Sequence, residues 1–287
     1  MFKKGVITDE ISQDLSTALE VAVRYRLDAI ELRSVWDKSV HELDDGEIDT
    51  IKKLLHNKGL HVCAISSQFF KCSMNNADEI KEHLEILKKC IKLAHKLDVR
   101  MIRGFTFWNE GGFDLQLPGI IARFDDAVGL LHKEEMTLVL ESDPSVYASN
   151  AAKLGKVVKG LDAACVKALW DPGNDLYDPD CEIPFPDGYN AIKSYMVHMH
   201  LKDAARLPDG KTEGRPIGEG QVDYKGHFAE LINDGYSGYV VLETHYRHQH
   251  NISDDLLLLP KGSAFSYGGQ EATEECLEKW FKLLDSI

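Results

Sequence analysis

The sequence has no apolar run long enough to cross a membrane, because no hydrophobic stretch approaches the roughly 18 residues that a spanning helix needs. Its opening, MFKKGVITDE, lacks the apolar core of a secretory signal. Basic residues are also in the minority: 33 Lys and Arg stand against 47 Asp and Glu, for a formal net charge of −14. A negative surface repels phosphate backbones. We therefore predict a cytoplasmic protein with neither a membrane nor a nucleic-acid partner.

Paired cysteines are absent as well. The six cysteines contain no CxxC pair, which disfavours a disulfide framework or a zinc ribbon and predicts reduced thiols. They are Cys63, Cys72, Cys90, Cys165, Cys181 and Cys276.

Short apolar runs recur along the chain, separated by segments with helical periodicity. The runs lie at 5–8, 29–32, 61–65, 100–103, 137–140, 166–170, 195–200 and 239–242. They show little polar alternation, which is typical of parallel strands buried on both faces. The turn after the first run, Asp9-Glu10-Ile11-Ser12, has no glycine cluster, which disfavours a doubly wound dinucleotide-binding sheet. The sequence predicts an α/β fold, a single (β/α)8 TIM barrel spanning 1–287.

A polar side chain lies at the end of each of the last four predicted strands. Strand 5 ends in Glu141, strand 6 in Asp171, strand 7 in His200 and strand 8 in Glu243. In a closed barrel these strand ends converge at one rim. Buried carboxylates are costly unless a cation holds them, and three carboxylates with one imidazole are a suitable ligand set for one divalent ion. Mn²⁺ is favoured, with Mg²⁺, Co²⁺ and Zn²⁺ as further options.

Such a site suits proton transfer next to a carbonyl. A cation that neutralises the developing enediolate acidifies the carbon between a hydroxyl and a carbonyl. Glu141 and Glu243 come from different strands and would flank a substrate from two sides. One can remove a proton and the other can return one. The predicted reaction classes are isomerisation, epimerisation or β-elimination.

Several motifs in a fixed order carry a family resemblance. They are TDEIS at 8–12, AIELR at 29–33, WDPGN at 170–174, HMHLKD at 198–203, GEG at 218–220 and YSGYVVLE at 236–243. In this order and spacing they are fairly specific, and they cover nearly the whole chain. The sequence resembles the xylose-isomerase-like TIM-barrel superfamily, which contains sugar phosphate isomerases and epimerases.

The resemblance implies a barrel, a bound divalent cation and a small sugar, sugar phosphate or polyol as substrate. It assigns the acid–base roles to Glu141 and Glu243, and it makes Arg206 a substrate contact. It also implies that Glu219 of the GEG turn steadies the site. Asn174 departs from the pattern, since many ketose 3-epimerases carry a histidine there, but an amide can still donate a hydrogen bond to a hydroxyl.

Further candidates come from their positions. His198 faces the barrel interior with His200 and can orient a ligand or touch substrate. Lys202 can donate to a substrate oxygen or pair with Glu219, and Trp108 can wall a sugar face. Glu31 and Arg33 are expected to pair with each other.

Alternatives remain open at this point. One alternative is a dehydratase of the inosose or dehydroshikimate type, which has the same barrel and ligands. The other is a barrel that binds a sugar without catalysing a reaction. The superfamily's DNA-repair endonuclease is disfavoured, because its additional metal histidines are missing and the net charge is negative. A homo-oligomer is compatible with the resemblance.

Overall fold

The structure is a computed structural model that describes residues 2–180 and 182–287. Within these residues eight parallel strands form a closed barrel. They are β1 (Lys3–Ile7), β2 (Ala29–Leu32), β3 (Val62–Phe69), β4 (Met101–Gly104), β5 (Thr137–Glu141), β6 (Val166–Trp170), β7 (Met196–Leu201) and β8 (Tyr239–Leu242). Each pairs with the next along the chain, and β1 pairs with β8 to close the sheet. The predicted (β/α)8 barrel is confirmed; its extent as one domain over 1–287 stays a prediction.

Helices alternate with these strands around the outside of the barrel. They are α1 (Leu15–Arg24), α2 (Asp45–Lys58), α3 (Ala77–Leu97), α4 (Phe113–Ala122), α5 (Asp125–Lys133), α6 (Ala151–Leu161), α7 (Pro172–Asp175), α8 (Tyr189–Ile192), α9 (Tyr224–Asn233), α10 (Asp254–Leu258), α11 (Gly262–Ser266) and α12 (Gly269–Leu284). Two antiparallel hairpins stand outside the barrel. One pairs Ser34–Val35 with Lys38–Ser39, and the other pairs Asp203–Arg206 with Thr212–Arg215.

Local side-chain chemistry fixes the helix ends. At α2 the Asp44 carboxylate accepts from the Glu47 amide at 2.9 Å, and the Glu47 carboxylate accepts from the Asp44 amide at 2.9 Å. This reciprocal cap satisfies amides that the first helical turn leaves free. The helix ends where Gly59 takes a left-handed φ of 67°, which glycine adopts without steric cost. Acidic residues such as Asp44-Asp45 are typical of a helix start, and Lys58-Gly59 is typical of a helix end.

The apolar core lies mainly between the barrel and its helices, as the buried outward faces of strands and helices show. A small separate cluster of Ile7, Ala29, Cys63 and Val241 fills the barrel interior. Two residues further along their strands, Ala29 is followed by Glu31 and Val241 by Glu243. The interior therefore changes from apolar to charged toward the carboxyl ends of the strands.

Strand β3 is longer than the apolar run that predicts it, since it continues past Ile65 to Phe69. Its register with β4 shifts between Ile65 and Phe69. The Ser67 hydroxyl donates to the Arg103 carbonyl at 2.5 Å, which holds the extension against β4. The extension sets the start of the loop that carries Lys71.

Five cysteines are free thiols, in agreement with the predicted reduced state: Cys63, Cys72, Cys90, Cys165 and Cys276. Cys181 lies outside the described residues. In the part of the chain that the structure describes, every helix is too short or too polar to cross a bilayer.

His227 of α9 is fully buried among aromatic rings, with Trp170 at 4.9 Å and Tyr189 at 5.0 Å between ring centroids. Neither ring nitrogen has a hydrogen-bond partner among residues 2–180 and 182–287, and burial lowers the pKa of His227 to about 3. Below about pH 6.5 this histidine is protonated in the unfolded chain but stays neutral in the folded chain. The free energy of unfolding therefore decreases as the pH is lowered from about 6.5.

We expect His227→Leu to remove this component of the pH dependence. When the pH is lowered from 6.5 to 4.5, His227 should decrease the free energy of unfolding of the wild type by about 2–3 kcal/mol, and the variant should not show this decrease. Urea denaturation of both proteins at several pH values measures the difference, and parallel pH profiles would contradict it.

Candidate active site

The structure brings Glu141, Asp171, His200 and Glu243 together at the carboxyl end of the barrel. One ligand atom from each lies within 4.8 Å of the corresponding atoms of the others. His200 Nδ1 is 3.0 Å from Glu141 Oε1 and 3.7 Å from Glu243 Oε2. All four side chains are buried. The convergence expected from the strand ends is therefore present in the fold.

Asp171 is positioned by the short helix that follows β6. Its Oδ1 accepts from the Gly173 amide at 2.8 Å and the Asn174 amide at 3.3 Å, so it caps α7. Gly173 packs directly on the Lys202 carbonyl, where a side chain would collide. Asp171 Oδ2 lies 2.7 Å from Lys202 Nζ and forms an ion pair with it. A carboxylate oxygen has two lone pairs, so Oδ2 can still bind a cation beside Lys202.

Three cations hold the carboxylates in place. Lys202 Nζ lies 2.9 Å from Glu243 Oε2, and Arg33 Nη1 donates to Glu243 Oε1 at 2.6 Å. Arg103 Nη1 donates to Glu141 Oε2 at 3.0 Å. Lys202 therefore pairs with two candidate ligands and not with Glu219, the other possibility that its sequence position allowed.

These contacts shift the ionisation of the cluster. Burial works to raise the pKa of Glu243 and Glu141, but Lys202 and His245 hold the first well below its usual value, and Arg103 and His200 lower the second. Burial raises the pKa of Asp171 to about 6, against the opposing effect of Lys202. Both glutamates are consequently carboxylates at neutral pH, the form that binds cations and accepts protons.

The charge count of the site fits a divalent cation. A continuous network of contacts, in which the His200 imidazole joins Glu31 to Glu141, links six buried carboxylates to four buried cations. The carboxylates are Asp9, Glu10, Glu31, Glu141, Asp171 and Glu243, and the cations are Arg33, Arg103, Lys202 and Arg247. With neutral imidazoles the carboxylates are in excess by two, which is the charge that one such ion supplies. Together with the second lone pair of Asp171 Oδ2, this favours cation binding by the four residues.

A second layer of polar groups lies deeper in the barrel. Glu31 Oε1 is 3.1 Å from His200 Nε2, and its Oε2 is 2.7 Å from His198 Nε2. The Ser66 hydroxyl donates to the same Glu31 carboxylate. The expected Glu31–Arg33 pair is wrong, because Arg33 binds Asp9, Glu10 and Glu243 instead. Glu31 on β2 and Arg33 directly after it both point toward the interior, but they meet different partners at different depths.

The other predicted site residues fall into two groups. Asn174 and Lys202 line the main cavity, a space of about 570 Å³ above the ligand cluster. His198 is buried beneath it. Glu219 is 55% exposed and pairs with Lys279 at 2.5 Å, on the outside.

Arg206 and Trp108 are absent from the residues that line the cavity. The Arg206 guanidinium donates to the Leu176 carbonyl at 2.6 Å and the Asp175 carbonyl at 3.0 Å, so it holds the loop after β6. Trp108 bridges to Val146 through its backbone.

Sequence reasoning missed several residues of the site. Asp203 holds the GEG turn, since its carboxylate accepts from the amides of Gly218 at 2.9 Å and Gly220 at 3.0 Å. Lys71 lines the cavity from the loop after β3, where no strand-end pattern marked it. His245 approaches Glu243 at 3.5 Å, whereas the nearby His248 pairs with Glu275 at 3.3 Å. In the sequence, only the spacing of two residues between Glu243 and His245 distinguishes His245 from His248 as a residue of the site.

Glu31 is placed to fix the orientation of His200. A hydrogen bond from Nε2 to Glu31 leaves Nδ1, the nitrogen that faces Glu141 and Glu243, with its lone pair available. We expect Glu31→Gln to weaken Mn²⁺ and Zn²⁺ binding about 10- to 100-fold in calorimetric titrations. The matched variant Glu20→Gln, whose side chain is 63% exposed, should bind like the wild type. An unchanged Kd in Glu31→Gln would remove Glu31 from this role.

Comparison with known proteins identifies relatives of the chain. It is 25% identical over 163 residues to L-ribulose-5-phosphate 3-epimerase UlaE of Salmonella typhi, covering 56% of this chain and 55% of that protein. The chain thus spans about half the length of the curated relatives it matches.

Solved structures match along nearly the whole chain. The probable 3-DHS dehydratase AsbF of Bacillus anthracis superposes with a TM-score of 0.74 at 15% identity, covering 98% of this chain and 99% of that one. IolI protein with a binding zinc atom gives 0.74 at 16% identity, with 99% of each chain covered. At such identities the likeness establishes the fold alone.

The family model described as xylose isomerase-like TIM barrel matches residues 19–266, which include all four converging side chains. The resemblance inferred from the strand-end motifs is thereby confirmed. The chain belongs to the xylose isomerase-like TIM-barrel family.

Proposed function

We propose that this protein is a divalent-metal-dependent sugar isomerase or epimerase that acts by proton abstraction next to a carbonyl. The observation that carries the proposal is the ligand cluster, in which three carboxylates and an imidazole converge with a buried excess of negative charge. The named activity of UlaE, a 3-epimerase of a ketose phosphate, supports the same reaction class.

Glu141, Asp171, His200 and Glu243 would hold the cation. Mn²⁺ suits the oxygen-rich set best, and Mg²⁺, Co²⁺ or Zn²⁺ are the alternatives. When bound, the ion supplies positive charge where negative charge develops on the substrate oxygens.

The proton transfers belong to Glu141 and Glu243. Both are ionised at neutral pH because neighbouring cations outweigh the effect of burial. They approach the cluster from β5 and from the end of β8, so each can serve one face of a bound sugar. For epimerisation one carboxylate removes a proton from one face and later releases it to solvent, and the other takes up a solvent proton and delivers it to the opposite face. The two exchange roles in the reverse direction.

The cations and amides around the cavity orient the substrate in this proposal. Lys202 and Asn174 line the cavity and can donate to hydroxyl or carbonyl oxygens. Arg206 acts indirectly, through the loop carbonyls that it holds. His198 acts through Glu31. Trp108 and Glu219 are assigned more distant supporting roles, since neither lines the cavity.

Solvent deuterium exchange tests the reaction class. With Mn²⁺ present, an epimerase incorporates deuterium from D₂O into recovered ketose, whereas a dehydratase generates the ultraviolet absorbance of a conjugated carbonyl. Ketoses, aldoses and inososes form the substrate panel. If the ultraviolet absorbance increases and no deuterium is incorporated into the sugar, the enzyme is a lyase. If no sugar of the panel reacts, a binding protein is favoured.

Glu243→Gln should lower turnover at least about 100-fold, because the amide cannot accept the proton. Glu85→Gln on α3, whose side chain is 56% exposed, provides the matched control and should retain wild-type turnover. Exchange rates measured by mass spectrometry compare the variants. Retained exchange in Glu243→Gln would exclude Glu243 as an acid–base group.

A further inference from the structure

A second cavity of about 240 Å³ opens beside the main one and has a different electrostatic character. The two share a wall that includes Arg33, Lys71, Arg103 and Phe105. Among its described lining residues the side cavity has four cationic side chains, the fourth being Lys261, and a single acid, Glu42. In a protein with a net charge of −14, this is a local concentration of positive charge.

These cations are not equally neutralised. Arg33 is surrounded by three carboxylates, and Lys261 is partly exposed and paired with Glu42 at 2.5 Å. Lys71 meets one carboxylate, Asp143 at 2.9 Å, and a backbone carbonyl, that of Leu258 at 2.9 Å. An ammonium group has three donors, so one N–H of Lys71 stays uncommitted within the described structure.

Arg103 has spare donor capacity as well. Its Nη1 donates to Glu141 and its Nε to the Ser67 carbonyl at 3.4 Å, whereas Nη2 has no acceptor among the described residues. Glu141 is also a proposed metal ligand. Its negative charge would then be shared between Arg103 and the bound cation, which leaves Arg103 less neutralised.

Lys71 and Arg103 lie against the same aromatic ring. Lys71 Nζ is 4.4 Å from the centroid of Phe105, and Arg103 Cζ is 4.9 Å from it. Both side chains are buried, with 5% and 6% of their surface exposed. Both cations line the wall shared by the two cavities, and an anion in contact with both would offset their charges. Guanidinium and ammonium groups are the usual protein donors to carboxylate and phosphate oxygens.

We propose that the substrate is an anion whose carboxylate or phosphate group binds between Lys71 and Arg103. This inference rests on the proposed function and deepens it by naming the substrate class. Because Arg103 touches Glu141, a sugar reacting at Glu141 and Glu243 can extend its charged end past Arg103 into the side cavity. The pocket thus selects sugar phosphates or sugar acids over neutral sugars.

The kinetic test compares substrates of different charge in the metal-loaded protein. Neutral ketoses, ketose phosphates and keto sugar acids are assayed by solvent deuterium exchange, and the last two groups distinguish phosphate from carboxylate. The wild type should prefer an anionic class. Lys71→Gln should lower kcat/KM for that class about tenfold or more, chiefly through KM, and should lower it by a clearly smaller factor for neutral ketoses, which carry no charge for Lys71 to bind. Lys71→Arg should restore most of the loss.

The control for charge is Lys133→Gln on α5, with a side chain that is 78% exposed. It should match the wild type on every substrate. Equal use of neutral and anionic sugars by the wild type would overturn the proposal. An equal loss of kcat/KM for neutral and anionic sugars in Lys71→Gln would also overturn it. Lys71 would then have only a structural role, through its hydrogen bonds to Asp143 and the Leu258 carbonyl.

A binding measurement separates this inference from the reaction itself. Inorganic phosphate titrated into the metal-loaded protein should bind about tenfold more weakly to Lys71→Gln than to the wild type or Lys133→Gln. If that difference appears while no sugar undergoes exchange, the proposed function fails and the anion site stands. If exchange proceeds but phosphate binding is absent or independent of Lys71, the anion site fails alone.

Discussion

The excess of buried negative charge at the carboxyl end of the barrel is the constraint on which the rest of the site depends. Carboxylates removed from water are stable only when cations or hydrogen-bond donors surround them. Arg33, Arg103 and Lys202 supply most of that compensation through contacts of 2.6 to 3.0 Å. When the imidazoles are counted as neutral, two charges stay uncompensated, and a bound cation or added protons would offset them. Despite burial, neighbouring carboxylates raise the pKa of both His200 and His245.

This arrangement links binding to reactivity. The same cations that allow Glu141 and Glu243 to be buried also keep them ionised, so both are carboxylates at neutral pH. Arg103 connects the two cavities, because it contacts Glu141 on one side and lies beside Phe105 and Lys71 on the other. A substrate charge bound there would sit one side chain away from a proton-transfer group. Substrate selection and proton transfer would then share one residue.

Much of this could be predicted from the sequence because barrel geometry is repetitive. Eight apolar runs separated by periodic helices predict the closed sheet, and the first polar residue after a strand is carried to the rim. Glu141, Asp171, His200 and Glu243 follow that rule. The rule works because each lies at a strand end, where direction and depth are fixed by the sheet.

Other contacts depend on details that no local pattern encodes. Glu31 lies on β2 and Arg33 directly follows that strand, yet the two reach partners on different elements because their depth in the barrel differs. Lys71 enters the site only because β3 runs four residues beyond its apolar run, to Phe69. Arg206 matches a family motif, but its guanidinium meets the carbonyls of the loop after β6, whose path the sequence does not specify.

The central claim is that four residues far apart in the chain share one cation, and anomalous diffraction from crystals soaked in Mn²⁺ tests it most directly. The account predicts one strong anomalous peak bounded by side-chain atoms of Glu141, Asp171, His200 and Glu243. A fully soaked crystal with no peak among these four residues, or with its manganese bound elsewhere, would contradict it.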